Sequence, residues 1–162
     1  MQRKLIQAAG ITHLATGLTI AVHSGDGNAA FEQLDILKEQ SVSPEARIWV
    51  HAQNEPNKEM HIKAGKLKTW VSFDGVNPGT LQMHLDFVKT MKENNLLNRV
   101  LVSQDSGWYN VGDPKGGDFK PYTCIATQFI PVLQQNGFTQ DDIDLIFKTN
   151  PGKAFTIKVR KQ

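Results

Sequence analysis

The chain has 162 residues, of which 40% are hydrophobic and 21% charged, a composition typical of one globular domain and unlike that of disordered proteins. The net charge is +2 and the lysines and arginines are scattered, so no concentrated basic face predicts nucleic-acid binding. A single cysteine, Cys124, excludes an internal disulfide, and no run of roughly 20 apolar residues predicts a membrane span, so we expect a cytoplasmic protein without a membrane partner.

The first part of the chain alternates amphipathic segments with short apolar runs. Residues 2–14 have helical spacing, and residues 19–22 form an apolar run that ends at His23. Asn28 is expected to cap a helix that extends to about residue 40. A second apolar run, residues 47–50, ends at His51. These segments predict two strands, each preceded by a helix.

The same alternation continues through the middle of the chain. Asn54 or Asn57 is expected to cap a short helix, and residues 69–73 form a third apolar run that ends at Asp74. Pro78 is expected to open the next helix, because proline is favoured in a first helical turn. A fourth apolar run, residues 99–102, precedes Asp105.

The last third of the chain predicts helices without a further internal strand. A loop rich in glycine and proline, residues 106–121, leads to a helix at about residues 127–135. Thr139 is expected to cap another helix through Lys148. We expect a turn at Pro151 and an apolar tail after it.

Strands that alternate with helices at this spacing form right-handed βαβ units and a parallel sheet. An eight-stranded barrel takes about 250 residues, and this chain has room for roughly half of one. We therefore predict an α/β fold in which residues 1–162 form a single partial (β/α)-barrel domain.

Polar residues follow the four predicted strands at the same relative position. Because the C-terminal ends of parallel strands meet on one face, we expect His23, His51, Asp74 and Asp105 to lie near one another. Two imidazoles and a carboxylate are suitable ligands for zinc or a similar divalent metal ion. Asp105 is alternatively a candidate general base that accepts a proton from water.

Structural roles compete with these interpretations. A lone histidine at a strand end is often a hydrogen-bonded packing residue, and an aspartate there is often a helix cap. Asp74 is thus a candidate either to orient a histidine or to cap the turn at Gly75. The other three histidines fall on predicted helices and are interpreted as surface or packing residues: His13, His61 and His84.

Several of these stretches together resemble the phosphotriesterase-related branch of the amidohydrolase superfamily. The similarity runs in one order over essentially the whole chain and includes residues 16–23, 50–54, 72–75, 99–105 and 150–151. The resemblance implies that the four strands are strands five to eight of a (β/α)8 barrel, which in this family holds two divalent metal ions.

The resemblance also implies roles for individual residues. His23 and His51 match the two histidines that bind the second metal, and Asp105 matches the carboxylate that contacts the first metal and transfers a proton. Trp108 and Tyr109 match the region that shapes the substrate pocket. The implied activity is metal-dependent hydrolysis of a small-molecule ester: a phosphotriester, a lactone or a carboxylic ester.

The chain departs from the family pattern in its ligands. It contains no His-x-His pair, and no strand carries the lysine that bridges the two metals; Lys4 lies on a predicted helix. A half barrel would also have two open sheet edges and expose apolar residues such as Trp49 and Val71. We therefore expect a homo-oligomer or a separate N-terminal half-barrel partner.

Two other functions remain open from the sequence. Residues 25–30 fit the G-x-G-x-x-A pattern of dinucleotide-binding turns, although the expected acidic residue at the end of the following strand is missing. Because half of the family's ligands are missing, the chain is alternatively a non-catalytic half barrel.

Overall fold

Four parallel strands form the centre of the computed structural model, which describes residues 2–162 apart from the side chain of Gln2. In chain order and in sheet order the strands are β1 (Ile20–His23), β2 (Arg47–Val50), β3 (Trp70–Phe73) and β4 (Val100–Val102). The helices are α1 (Gln2–Thr16), α2 (Gly27–Glu39), α3 (Lys58–Lys66), α4 (Leu81–Glu93), α5 (Ile130–Gln135), α6 (Gln140–Asp144) and α7 (Asn150–Phe155). All neighbouring strands are parallel, so the predicted α/β half barrel is confirmed.

Two predicted helix starts are wrong. Asp26, not Asn28, caps α2, because its carboxylate accepts the N–H of Ala29 at 2.9 Å. The helix expected to open at Pro78 begins at Leu81 instead, since hydrogen bonds within the preceding turn involving Asn77 and Thr80 hold Pro78 outside the helix. The expected caps Asn57 and Thr139 are confirmed.

The turn predicted at Pro151 is also wrong. A π-helical segment, Leu145–Thr149, joins α6 to α7, and Pro151 lies in the first turn of α7. Proline has no N–H to donate and crowds the preceding carbonyl, and a wider π turn accommodates both effects. The buried side chain of Asn150 fastens this point to β4 by donating to the carbonyls of Leu97 and Val100, both at 2.8 Å.

Both faces of the sheet are apolar. The expectation that Trp49 and Val71 are exposed on the open face is wrong. Both side chains are fully buried against the helices. The opposite, inner face of the sheet carries Ile48, Trp70 and Leu101. Parallel strands buried on both faces are nearly continuous apolar runs, so alternation along the sequence does not identify the helix-facing side.

The C-terminal strap, residues 156–162, returns across the N-terminal ends of the strands. The N–H of Lys158 donates to the carbonyl of Gly17 at 3.0 Å, and the N–H of Arg160 donates to Nε2 of the buried His13 at 2.9 Å. Gly17 has φ +75°, and a Cβ there would lie 2.8 Å from the backbone nitrogen of Lys158, so only glycine fits. The strap therefore ties the end of the chain to α1 and β1.

None of the helices within residues 2–162 combines the length and apolar character needed to cross a bilayer.

Candidate functional site

The four polar residues that follow the strands lie at the C-terminal end of the sheet. His23 is the last residue of β1, and His51 directly follows β2. Asp74 directly follows β3, and Asp105 lies three residues beyond β4. Because the strands are parallel and lie side by side in chain order, these four positions follow one another along the C-terminal end of the sheet.

The two histidine rings are in contact. Their centroids are 4.4 Å apart with an interplanar angle of 88°. His23 is exposed, whereas the side chain of His51 is 20% exposed. Two imidazoles from neighbouring strands at this separation can donate nitrogen lone pairs to one metal ion.

Asp74 is the buried polar centre of the site. Its Oδ2 accepts the backbone N–H of His51 at 2.8 Å and lies 3.6 Å from Nδ1 of the same residue. Its Oδ1 accepts the hydroxyls of Ser72 at 2.8 Å and Ser103 at 2.7 Å. A carboxylate beside Nδ1 favours the tautomer in which Nε2 is free to bind a metal. The carboxylate of Asp74 is thus bonded to His51, Ser72 and Ser103, whereas Asn77 and Thr80 donate to the carbonyl of the turn residue Gly75. The role of Asp74 in orienting His51 toward a metal stays a prediction.

His51 and Asp105 have unusual backbone conformations. Their φ angles are 62° and 46°, in the left-handed region that non-glycine residues rarely occupy. The structure describes four other such residues: Ser41, Lys68 and Asn95, each just beyond a helix, and Lys115 in a loop. Backbone strain that persists at strand ends, outside such helix-terminating turns, is characteristic of functional sites.

Asp105 lines a pocket of about 580 Å³ between the loops that follow β3 and β4. Gln104 fixes the second loop, since its side chain donates to the carbonyl of Pro121 at 3.0 Å and accepts the N–H of Ile125 at 2.9 Å. Lys120 and Cys124 also line this pocket. Burial raises the pKa of the Cys124 thiol, which disfavours the reactive thiolate.

The two aromatic residues expected to contact substrate lie on the exposed loop. Trp108 is 61% exposed and donates its indole N–H to the carbonyl of Asp105 at 2.9 Å. Tyr109 is 72% exposed and packs over Gly116. Neither lines the pocket beside Asp105, so their role in substrate binding stays a prediction.

The candidate site lacks a complete metal-ligand set among the described residues. Within residues 2–162, no three histidine, cysteine, aspartate or glutamate side chains come together as a group that could hold a metal ion. The contact between His23 and His51 fits two ligand positions of one ion, while further ligands are required for a tetrahedral zinc site.

Sequence reasoning missed several residues that shape this end of the sheet. Gln53 accepts the N–H of Asp74 at 2.9 Å, and Lys120 contributes a cation to the pocket. Polar residues in loops carry no periodic signal, so only the folded arrangement identifies them.

The dinucleotide-binding interpretation finds no support in the turn after β1. The N–H of Gly27 donates to the carboxylate of Glu55 at 2.8 Å, and a Cβ on Gly27 would lie 2.9 Å from Met60. The helix N-terminus that would receive a pyrophosphate thus already has an anionic partner.

Comparisons with known proteins agree with this architecture. The chain is 28% identical over 158 residues to the phosphotriesterase homology protein of Escherichia coli. The alignment covers 96% of this chain and 53% of that protein. The crystal structure of that protein with phosphate in its active site superposes with a TM-score of 0.83. An aryldialkylphosphatase of Saccharolobus solfataricus is 29% identical, with coverage of 94% of this chain and 52% of the relative. A phospho-furanose lactonase of Mycoplasmopsis synoviae is 25% identical, with coverage of 99% and 48%.

The chain spans about half the length of the curated relatives it matches. Its four consecutive βα units match the C-terminal half of a barrel. The family model described as the phosphotriesterase family matches residues 1–155. The chain therefore belongs to the phosphotriesterase family.

Proposed function

We propose that this chain supplies half of the active site of a metal-dependent hydrolase acting on a phosphotriester, a lactone or a carboxylic ester. The observation that carries the proposal is the contact between His23 and His51 at 4.4 Å beside the buried carboxylate of Asp74. Family membership supports it, since relatives are named as an aryldialkylphosphatase and a lactonase.

Each residue has a distinct role in the proposed site. His23 and His51 hold one divalent metal ion, most suitably zinc, and Asp105, three residues beyond β4, is a carboxylate ligand of the other metal ion of the complete site. The ion supplies Lewis acidity toward the ester or phosphoryl oxygen. Asp74 keeps His51 in the ligating orientation through a hydrogen bond from the backbone N–H of His51 and a 3.6 Å contact with its ring Nδ1.

Asp105 is also the proposed general base. Its carboxylate is exposed at the edge of the 580 Å³ pocket, where a water molecule and an ester substrate can both reach it. Trp108 and Tyr109 are proposed to contact the organic part of the substrate from the loop above. Lys120 would lie against an anionic substituent of the substrate in the same pocket.

The remaining ligands are proposed to come from further βα units, on another chain or on another part of the protein. Within residues 2–162, β1 and β4 each pair with one strand only, so both present unpaired backbone groups. A groove of about 720 Å³ lies beside β1, lined by residues of α1 and α2, and its lining includes the apolar side chains of Leu5, Ile6 and Val22 together with polar and charged groups. A second copy or a complementary half barrel would bury these apolar side chains.

The test is hydrolysis of a lactone and of a paraoxon-type phosphotriester with zinc, by the chain alone and mixed with the N-terminal half of the E. coli relative. We expect activity only in the mixture, reduced about 100-fold or more by His51→Ala or Asp105→Asn. Asp86→Asn, in an exposed ion pair with Lys58, is the matched control and leaves the rate unchanged. Activity that is insensitive to both site variants would contradict the proposal.

A non-catalytic half barrel is the second candidate. It is favoured by one observation, the lack of a three-ligand metal group within residues 2–162. In that case zinc would still stabilise the chain through His23 and His51, but no mixture with complementary βα units would hydrolyse either substrate.

A further inference from the structure

A basic cleft of about 310 Å³ lies at the end of the sheet opposite the candidate site, between the C-terminal strap and the loops that precede β2 and β4. We propose that this basic cleft binds the phosphoryl group of a small anion, either inorganic phosphate or a phosphate monoester. Six side chains in its lining carry hydrogen-bond donors that can contact an anion: Asn98, Arg99, Lys153, Thr156, Lys158 and Arg160.

The charges of the basic cleft are unbalanced. Four cations line it, and Glu45 is the single carboxylate among its lining residues. Arg99 is paired with Glu45 at 3.0 Å. Within residues 2–162, no carboxylate forms a salt bridge with Lys153, Lys158 or Arg160. Lys153 and Lys158 are exposed and Arg160 donates to backbone carbonyls, so a multiply charged anion in the cleft would meet three cations that have no carboxylate partner among the described residues.

Both arginines are held in place before any ligand arrives. The guanidinium of Arg99 lies 5.2 Å from the centre of the Trp70 ring, in addition to its bond with Glu45. The guanidinium of Arg160 donates to the carbonyls of Lys153 at 2.8 Å and Thr156 at 3.0 Å. Each side chain has thus already lost its rotational freedom, so binding an oxyanion costs less ordering entropy.

The cations come from separate parts of the fold. Arg99 directly precedes β4, Lys153 lies in α7, and Lys158 and Arg160 lie in the C-terminal strap. A bound phosphoryl group would therefore cross-link the strap to α7 and to the base of β4. Binding should stabilise the strap in addition to the whole chain, because only the folded state assembles these groups.

The volume of the basic cleft favours a small ligand. A cavity of 310 Å³ is at the lower end of the range for small-molecule sites, about 300 to 1,000 Å³. A phosphoryl group fills only part of this space, so the amide of Asn98 and neighbouring backbone groups remain for an organic remainder. Arginine binds phosphate through its planar fork of donors and lysine binds it as a compact charge, and the cleft offers both.

The experiment is titration of the full chain with inorganic phosphate and, separately, with ribose 5-phosphate, followed by calorimetry and by hydrogen exchange of residues 156–162. Ionic strength is held constant with sodium chloride, because simple screening would otherwise mimic binding. The test variant is Lys153→Gln with Lys158→Gln; both side chains are exposed, so the fold is not at risk. Lys66→Gln with Lys68→Gln, two exposed lysines elsewhere, is the matched control, and Lys120→Gln reports binding at the opposite end of the sheet.

We expect the test variant to bind at least about tenfold more weakly, while the Lys66→Gln with Lys68→Gln control binds as the unmodified chain does. Phosphate should also slow exchange in the strap of the unmodified chain. Equal affinities for the two ligands would identify free phosphate as the matching ligand, and tighter binding of the sugar phosphate would identify a phosphate monoester. Absent binding, or binding that is lost in Lys120→Gln but kept in the lysine pair variant, would overturn the proposal.

Discussion

Asp74 organises the candidate site at the level of single residues. Its two carboxylate oxygens accept three hydrogen bonds, from the backbone of His51 and from the hydroxyls of Ser72 and Ser103. The residue is 5% exposed, so water cannot replace a lost partner. The strained backbone of His51 depends on this support, because a left-handed conformation persists only where surrounding contacts hold it.

Asp74→Asn is predicted to destabilise the fold by about 1 to 3 kcal/mol. The new amide NH2 group is a donor and would replace one carboxylate oxygen that now accepts a hydrogen bond, so two donors would face each other. Urea denaturation measures the change. The matched control is Asp86→Asn, whose exposed pairing with Lys58 is expected to contribute about 1 kcal/mol or less. Equal losses of unfolding free energy in the two variants would contradict the prediction that the buried hydrogen bonds of Asp74 stabilise the fold more than the exposed ion pair does.

His61 predicts a dependence of stability on pH. Its ring is buried between Trp49, Phe73 and Phe87, and desolvation lowers its pKa, although its hydrogen bond to the carbonyl of Ala52 and the charge of Glu55 act in the opposite direction. The folded state therefore keeps His61 neutral at pH values where the unfolded chain is already protonated.

Stability should fall as the pH drops below about 6.5 and level off once the pH is below the lowered pKa, with a slope of at most about 1.4 kcal/mol per pH unit from this group. The unfolding free energy of the chain, minus that of His61→Leu, isolates this contribution. A difference that is constant from pH 7.5 to pH 5 would contradict it.

Single residues could be placed from the sequence where they lie at the end of an apolar run. The places of four polar residues at the C-terminal end of the sheet could be predicted because each ends or follows an apolar run, and the ends of such runs lie together in a parallel sheet: His23, His51, Asp74 and Asp105. The environment of His61 was not identifiable, because its aromatic neighbours lie on β2, β3 and α4. Contacts between distant segments leave no local pattern in a single sequence.

At the scale of elements, the C-terminal strap depends on one buried histidine. Nδ1 of His13 lies 2.7 Å from the carbonyl of Leu18, and its Nε2 accepts the backbone N–H of Arg160. A single neutral imidazole thus donates to one segment and accepts from another, and so connects α1, the start of β1 and the strap.

His13→Ala is predicted to cost about 2 to 4 kcal/mol, since it leaves two buried backbone groups unsatisfied and opens a cavity. Hydrogen exchange in residues 156–162 should accelerate more than exchange in β3. Thr12→Ala, on the exposed side of the same helix, is the control and should leave the strap unchanged. Uniform acceleration throughout the chain would argue that His13 stabilises the fold only globally.

The strands could be predicted to within one residue because apolar runs mark them directly. Helix starts were less predictable where neighbouring polar residues compete, as Asp26 and Asn28 do for the cap of α2. The helix that passes through Pro151 was not predictable, because the π turn before it has no distinctive composition. The strap was also missed, since its bonds join residues about 150 positions apart in the chain.

At the scale of the whole molecule, the groove beside β1 is the predicted contact with further βα units. Leu5 and Ile11 lie on α1 and are each 65% exposed, but only Leu5 lines the groove. Leu5→Glu should therefore weaken self-association, or association with a complementary half barrel, by about tenfold or more, whereas Ile11→Glu should have little effect. Sedimentation of each variant, alone and mixed, measures this. A chain that stays monomeric in every mixture, or equal effects of both variants, would contradict the predicted contact.

The central claim is that His23 and His51 form the metal-binding part of a hydrolase half-site. The most direct test is a zinc titration followed by NMR of the five histidine rings. We predict that the His23 and His51 signals shift together and saturate at one zinc ion per chain, while the buried His13, His61 and His84 rings do not respond. In His51→Ala, the His23 signal should no longer respond. A titration in which His23 and His51 do not respond, or respond independently of each other, would contradict the account.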